Sequence, residues 1–146
     1  MSHIAGEIRI GRPVSEVFDF VADSRNEPTY NPAMHDVELL TDEPLGAGAR
    51  FRALMGRGGM EMLVTLTEYT RPHRLASTTK SSLMDTRGTL TFAPAGAAGT
   101  TMRWDWEVTP KGWLRLLGPL FGPVGSRMER RIWAGAKSAL EGEQRA

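Results

Sequence analysis

The sequence contains no cysteine and only three histidines, and its charges nearly cancel. Without cysteine, disulfides, thiolate metal sites and a cysteine nucleophile are excluded, which suits a reducing cytoplasm. Lys and Arg total 18 against 17 Asp and Glu, a formal charge of +1, so the overall charge does not attract nucleic acid. The longest apolar stretch, residues 113–124, is shorter than the ~20 residues that cross a bilayer. We therefore expect a soluble cytoplasmic protein with no nucleic-acid partner and no stable membrane insertion.

The length of 146 residues suits one domain, and the first residues predict how that domain begins. Apolar residues alternate with charged ones over residues 4–10, which predicts a strand with one covered face. Pro13 fits the first position of a helix, and helically spaced apolar residues predict a short helix to about Asp23. Residues 26–34 include Pro28 and Pro32, so we predict one short turn of helix and then a loop. A single domain over residues 1–146 is the expectation.

Six more strands are predicted between residues 37 and 109, where strand-like segments alternate with turn signals rich in glycine and proline. They span residues 37–40, 50–55, 60–69, 74–81, 86–93 and 100–109. Their connections are too short for the crossover helices that parallel strands require. We therefore expect an antiparallel meander, with seven strands when the first is included.

Beyond Pro110 the apolar spacing changes to that of helices. Residues 111–123 combine leucines and aromatic residues with breakers, which predicts a short separate helix. An apolar stripe then begins at Val124, Met128 and Ile132, opposite a row of charged residues, and predicts a long amphipathic helix. We expect this stripe to cover the inner face of the sheet. The fold class is α+β.

Strand alternation and the two C-terminal helices assign one set of side chains to the space between sheet and helix. The predicted ligand-binding residues are Tyr30, Phe51, Ala53, Met55, Met62, Val64, Leu66, Ser77, Thr79, Leu90, Phe92, Met102, Trp104, Trp106, Leu117, Phe121, Val124, Met128 and Ile132. Such a set is more often ordinary packed core than a pocket. Two features favour a pocket: very large and very small side chains share the inner face, and eight methionines offer an adaptable lining.

Five stretches of the sequence resemble a known family. They are residues 8–23 (IRIGRPVSEVFDFVAD), 27–34 (EPTYNPAM), 45–51 (LGAGARF), 68–75 (EYTRPHRL) and 99–104 (GTTMRW). The chain resembles the START-like superfamily, also called SRPBCC, and within it the polyketide cyclase/dehydrase-like family. This resemblance implies a helix-grip fold: a seven-stranded curved antiparallel sheet wrapped around a long C-terminal helix, with two short helices between strands 1 and 2. Members of the family commonly have tryptophan where Tyr30 stands, which suggests an altered ligand preference.

Few residues are candidates for chemistry. The histidines form no i, i+4 pair, so we expect neither a metal site nor a cofactor. His35 falls near the expected pocket mouth, where it could act as a base if desolvated or be an ordinary exposed histidine. Glu68 has the strand parity of the inner face, so it could act as an acid or base, or pair with Arg74 or Arg52. Tyr30 could add a hydroxyl at the pocket mouth.

Two functions of different classes follow from these patterns. The first is a carrier or sensor that binds a small hydrophobic molecule such as a lipid, polyketide, isoprenoid or aromatic compound. The second is a polyketide cyclase/dehydratase-type enzyme that uses Tyr30, His35 or Glu68 for proton transfer. Because no catalytic triad is evident, the first is favoured. Residues 113–121 could touch a membrane surface or pack across the pocket entrance, and a homodimer is left open.

Overall fold

Strand β1 (Ser2–Ile10) leads into helix α1 (Val14–Ala22) and the 3₁₀ helix η1 (Ser24–Thr29). The computed structural model describes residues 2–145, without the side chains of residues 2, 117–121 and 143–145. Pro13 caps α1, and the Asp23 carboxylate accepts a hydrogen bond from the Arg25 backbone N–H at the start of η1. The predicted short helix and the helical turn after it are therefore both present.

The sheet has seven antiparallel strands in the order β1-β7-β6-β5-β4-β3-β2. After β1, the strands are β2 (Met34–Leu39), β3 (Arg50–Met55), β4 (Met60–Thr70), β5 (Arg74–Lys80), β6 (Met84–Ala95) and β7 (Gly99–Pro110). The predicted curved antiparallel meander is confirmed. Strand β2 begins three residues before the predicted position, at Met34 rather than Val37. Its register shifts between His35 and Glu38, where Asp36 has a φ of 52°, and this irregularity breaks the alternation that marks a strand.

The C-terminal region differs from the expectation in where its helices divide. The 3₁₀ helix η2 (Gly112–Leu117) is followed directly by α2 (Gly118–Arg145), which contains Pro123. We expected the long helix to begin only at Val124. A proline lacks one N–H donor, and near a helix start this costs a single intrahelical hydrogen bond, so the helix continues through it. No helix among the described residues is long and apolar enough to cross a membrane.

Helix α2 packs along β1 and against η1, to one side of the inner face. The approach is close, because a Cβ at Gly135 would lie only 2.8 Å from the backbone oxygen of Tyr30. This contact turns Trp133, Ala136 and Leu140 into the protein interior. Val124 and Met128, which we expected to cover the sheet, are instead 57% and 53% exposed. The prediction that Val124 and Met128 cover the sheet is therefore wrong. The helix face that packs inside the protein is the one that carries Trp133.

The hydrophobic core lies where α1 meets strands β4, β6 and β7. The ring of Phe18 packs edge-on against Tyr69 and Phe92, with ring centroids 5.1 and 5.2 Å apart. Several residues that we predicted as pocket lining are fully buried in this core: Phe51, Leu66, Leu90, Phe92 and Met102. This end of the sheet is closed by α1. Any ligand space must therefore lie toward the other end.

Candidate functional site

The inner face of the sheet is only partly covered away from the core. We call this region the inner groove, and its half-buried residues are Met62, Ser77, Thr79, Thr86, Gly88 and Trp106. They lie on strands β4 to β7, whereas α2 packs along β1. Because the long helix sits to one side, these side chains keep part of their surface open to a ligand.

A second opening lies at the end of the inner groove, and we call it the sheet notch. Strand β4 begins three residues before its pairing with β5, which ends where Lys80 faces Leu63. The resulting gap has a volume of about 840 Å³ and is lined by Ala33, Met55, Gly56, Gly58, Met60, Glu61, Leu63, Lys80, Ser81, Ser82 and Leu83. The notch is open to solvent and largely apolar.

Two half-buried glutamates and a buried tyrosine form a polar group, which we call the acidic cluster: Glu27, Tyr30 and Glu129. The Nδ2 atom of the buried Asn31 donates to Glu27 Oε2 at 3.1 Å. The Trp133 Nε1 atom donates to Glu129 Oε2 at 2.7 Å. The cluster therefore connects η1 to α2. It borders the inner groove, because Trp106 of the groove lies close to Glu129.

Local helix geometry places these side chains together. In a 3₁₀ helix residues i and i+3 lie above one another, so Glu27 and Tyr30 point the same way. The backbone confirms the spacing, since the Tyr30 N–H donates to the Glu27 carbonyl at 3.0 Å. On α2, Glu129 and Trp133 are an i, i+4 pair on one helix face. The i, i+3 pair after η1 and the i, i+4 pair on α2 therefore come together as one site, although they are far apart in the sequence.

Burial changes the acid-base properties of all three groups. The pKa of Glu27 is raised from its ordinary 4.5 to about 7, mainly by burial and also by the negative charge of Glu129, while the hydrogen bond from Asn31 opposes the rise. Burial also raises the pKa of Glu129, against hydrogen bonds from Trp133 and Trp106. The pKa of Tyr30 is raised well above its ordinary value, by burial first and then by the charges of Glu27 and Glu129. In each case loss of hydration disfavours the anion.

Aromatic rings form one wall of the cluster. Phe20, Tyr30, Trp133 and Trp104 follow one another with centroid separations of 5.6, 5.9 and 6.2 Å. The Nε1 atoms of Trp104 and Trp106 are buried without a hydrogen bond of good geometry. The Trp106 N–H nevertheless lies close enough to Glu129 to lower its pKa. The surface of the wall is therefore mostly apolar, but it includes the indole N–H donors of Trp104 and Trp106.

The three candidates for proton transfer separate in the structure. Tyr30 is only 6% exposed and belongs to the acidic cluster. The exposed ring of His35 contacts Asp36 Oδ2 and the Gly56 carbonyl, each at 3.0 Å, and the hydrogen bond with Asp36 is the main cause of its raised pKa. Glu68 accepts a hydrogen bond from Arg74 Nε at 3.0 Å on the surface. This is the ion pair we considered for Glu68, and Arg52 pairs with Glu61 and Glu38 instead.

The remaining predicted lining residues fall into separate groups. The inner groove contains Met62, Ser77, Thr79 and Trp106, and Ile132 is half-buried against the core. Met55 borders the sheet notch, and Val124 and Met128 are exposed. Ala53, Val64 and Trp104 are buried. Leu117 and Phe121 lie outside the described side chains. The structure thus brings four of the nineteen predicted residues to the groove.

Sequence reasoning missed three residues of the site: Glu27, Glu129 and Trp133. Glu27 stands beside Pro28 in a segment that we predicted to be one turn of helix and a loop, and this pattern does not indicate that its side chain is buried. Glu129 lies in the long C-terminal helix and was assigned to neither face. The available signal was Trp133, a large apolar residue four positions after Glu129, which marks the buried face. No group of three or more acidic or histidine side chains in the described part of the chain is arranged to hold a metal ion.

The sheet, the helix that grips it and the partly open inner face define a START-like domain. Residues 1–142 match the sequence profile of the family described as polyketide cyclase / dehydrase and lipid transport. The chain therefore belongs to this family, as the sequence resemblance predicted. No curated protein sequence matches it.

Solved structures share the fold at low sequence identity. A protein from Thermus thermophilus has a TM-score of 0.80 at 18% identity, covering 97% of this chain and 98% of its own. A START superfamily protein from Mycobacterium smegmatis has a TM-score of 0.74 at 16% identity, covering 99% of each chain. The di-domain ARO/CYC StfQ of the steffimycin biosynthetic pathway has a TM-score of 0.74 at 18% identity, covering 97% of this chain and 46% of that one. These similarities establish the helix-grip fold.

Proposed function

We propose that the protein binds a small hydrophobic molecule in the inner groove, as a carrier or sensor. The observation that carries this proposal is the uncovered strip on strands β4 to β7, where apolar and small polar side chains keep open surface inside the fold. A folded domain gains stability by burying such surface, and a bound apolar molecule would bury it instead. The family, described by cyclase and lipid-transport functions, is consistent with a ligand of this kind.

The sheet notch supports the same proposal, because a ligand needs a way in. Its apolar rim includes Met55, Met60 and Leu83, and the flexible methionines suit molecules of varying shape.

Adjacent threonines on β5 provide a matched test. Thr79 faces the inner groove between Val64 and Thr86, whereas Thr78 lies on the opposite face between Thr65 and Arg87. We expect Thr79→Phe to fill the groove and weaken binding about tenfold or more, and Thr78→Phe to leave it within about twofold. Binding is measured by isothermal titration with a panel of fatty acids, isoprenoids and aromatic ketones, alongside native mass spectrometry of the purified protein.

The outcome decides the proposal. Loss of affinity in Thr79→Phe alone supports the inner groove as the site. Equal affinity of both variants would place the ligand elsewhere, and no binding across the panel, with no copurified compound, would contradict a carrier or sensor function.

A second candidate is a cyclase/dehydratase-type enzyme acting on a polyketide-like substrate. The observation in its favour is Tyr30, the one predicted proton-transfer residue that lies inside the fold, next to the carboxyl groups of Glu27 and Glu129. Burial raises the pKa of Glu27 to about 7, and an acid with a pKa near neutrality is suited to general acid-base catalysis beside the Tyr30 hydroxyl. A poly-β-ketone chain incubated with the protein, with cyclised products followed by mass spectrometry, tests this function. Conversion should be lost in Tyr30→Phe and kept in His35→Gln; no conversion by the unmodified protein would exclude this reaction.

A further inference from the structure

The acidic cluster contains two half-buried carboxyl groups that lack a positive partner. The ion pairs formed by the described residues involve exposed or half-exposed groups, and none includes Glu27 or Glu129. Carboxylates taken out of water are normally compensated by a cation or by several hydrogen bonds. Here each receives only part of that compensation, from Asn31 or from the indoles of α2 and β7.

The Tyr30 side chain is a separate sign that something binds beside these carboxyls. Tyr30 is more than nine-tenths buried and its hydroxyl forms no hydrogen bond with any described residue, yet this oxygen is not among the fully enclosed unpartnered atoms and so keeps some open surface. Tyr30 lies one 3₁₀ turn after Glu27, and its ring packs beside that of Trp133, whose indole donates to Glu129. The charges of both carboxylates act on this hydroxyl. A phenol on a buried side chain usually has a hydrogen-bond partner, and this one opens onto unfilled space instead.

The space beside the two carboxyl groups is accessible from outside. Glu27, Glu129 and Trp106, which border it, are each only half-buried. Tyr30 and Trp133 form a tilted pair of rings beside the carboxyls, with centroids 5.9 Å apart. Aromatic faces attract cations, and they do so more strongly when water is excluded. The carboxyl groups of the acidic cluster and the rings of Tyr30 and Trp133 therefore border the same space.

We propose that the ligand carries a cationic nitrogen, which binds between the carboxyls of Glu27 and Glu129 against the ring of Tyr30. This inference rests on the proposed binding function and narrows its ligand to an amphiphilic amine, with an apolar body in the inner groove. An N–H of the ammonium group donates to the carboxylates, and the Tyr30 hydroxyl turns toward the carboxylate oxygens. The cation supplies the positive charge that no side chain of the cluster provides.

Binding of a cation should be linked to proton release. In the free protein the cluster retains a proton up to about neutral pH, since burial raises the pKa of Glu27 to about 7. The groups that face Glu27 are Asn31 on its own segment, Tyr30 and, from α2, Glu129; none of them is basic. An ammonium group stabilises both carboxylates and expels the proton. Affinity for an amine should therefore rise with pH between about 5.5 and 8 and then level off.

Three probes with the same eight-carbon chain test the inference: octylamine, octanol and octanoate. At pH 8 we expect isothermal titration to show octylamine binding about tenfold or more tightly than octanol, with octanoate weakest. Glu27→Gln and Glu129→Gln should each reduce the preference for octylamine over octanol at least fivefold. Glu107→Gln, on the outer face of β7, is the control. Titration in two buffers of different ionisation enthalpy measures the released proton.

The possible failures are distinguishable. Equal affinity for octylamine and octanol, or an amine preference that survives both glutamine variants, would overturn the cationic ligand while the hydrophobic binding function stands. No binding of any probe to the unmodified protein would overturn both. Circular dichroism of each variant confirms that a lost preference reflects the missing charge and not a lost fold.

Discussion

The indole ring of Trp104 on β7 lies over Gly6, its register partner on the neighbouring strand β1. A Cβ built at Gly6 would come within 2.7 Å of the ring atom Cε2, closer than any real side chain approaches. Trp104 is itself only 2% exposed and stacks on Trp133 of α2. The missing side chain at position 6 is therefore what allows β1, β7 and α2 to meet.

Gly6→Ala should destabilise the protein by about 1–3 kcal/mol, because overpacking forces the Trp104 ring to move. The comparison is Gly46→Ala, where an added Cβ meets nothing within 4 Å. Urea unfolding followed by tryptophan fluorescence measures both free energies. Equal stability of the two variants would show that the Trp104 ring adapts freely.

The acidic cluster should make stability fall as pH rises. The pKa of Glu27 is about 7 in the folded chain against an ordinary 4.5, so between these values the folded state holds a proton that the unfolded state has lost. The stabilisation is complete below about pH 4.5, is lost up to about pH 7, and amounts to roughly 3 kcal/mol at most. Urea midpoints from pH 4.5 to 8 should show this loss in the unmodified protein and a smaller one in Glu27→Gln. A parallel pH dependence in both would contradict the assignment to Glu27.

The hydrogen bond from the Trp133 indole favours the ionised form of Glu129 and so opposes the rise in its pKa that burial causes. Trp133→Phe keeps an aromatic ring but removes the N–H that donates to Glu129 at 2.7 Å, so we expect the pKa of Glu129 to rise further and stability to fall by about 1–3 kcal/mol at neutral pH. Carboxyl carbon shifts in an NMR titration report the pKa. The exposed Trp113→Phe serves as the control; an unchanged titration of Glu129 would mean that the hydrogen bond has no influence on it.

A buried hydroxyl ties β7 to the loop before α1. Thr100 is fully buried, and its Oγ1 donates to the Arg12 backbone carbonyl at 2.7 Å. Thr100→Val preserves shape but leaves that carbonyl unpaired, so we expect a loss of about 1–3 kcal/mol. Thr101→Val, on the other face of β7, should cost under about 0.5 kcal/mol. Thermal unfolding of the pair checks the difference, and similar melting temperatures would argue against the bond's importance.

The apolar residues of η2 should matter little for folding. Trp113 and Leu116 are 62% and 84% exposed, so Trp113→Ser with Leu116→Ser should change stability by less than about 0.5 kcal/mol. We propose that these side chains contact a second copy of the chain or a membrane surface. Sedimentation velocity and liposome flotation of the double variant distinguish the two, with Leu40→Ser, another exposed leucine, as the control. A large loss of stability would instead assign the segment to the fold.

Strand alternation predicted most of the fold, because the inner and outer faces of a sheet differ in polarity at every second residue. The position of α2 could not be predicted in the same way. Val124, Met128 and Ile132 form a credible apolar stripe, but the helix approaches along a different face, where Gly135 lies against the backbone of Tyr30. Which of two overlapping stripes is buried depends on such close contacts across the chain. The acidic cluster was missed for the same reason.

Tyr30 illustrates what sequence can predict about a site and what it cannot. Its position after a proline-rich turn and its aromatic character placed it near the pocket. Its electrostatic surroundings come from Glu129, 99 positions later, and no local pattern links the two. Sites built between a 3₁₀ turn and a distant helix are determined by packing, which periodicity alone does not encode.

The location of α2 along β1 also has a kinetic consequence. The amide protons that join β1 to β7 should exchange with solvent only when the whole domain unfolds, whereas those of the β3–β4 hairpin should exchange through small local openings. The first three residues of β4 pair with β3 on one side and have no β5 partner on the other. A molecule could therefore enter or leave as this hairpin bends, on a timescale set by a few strand residues, while the long helix stays in place.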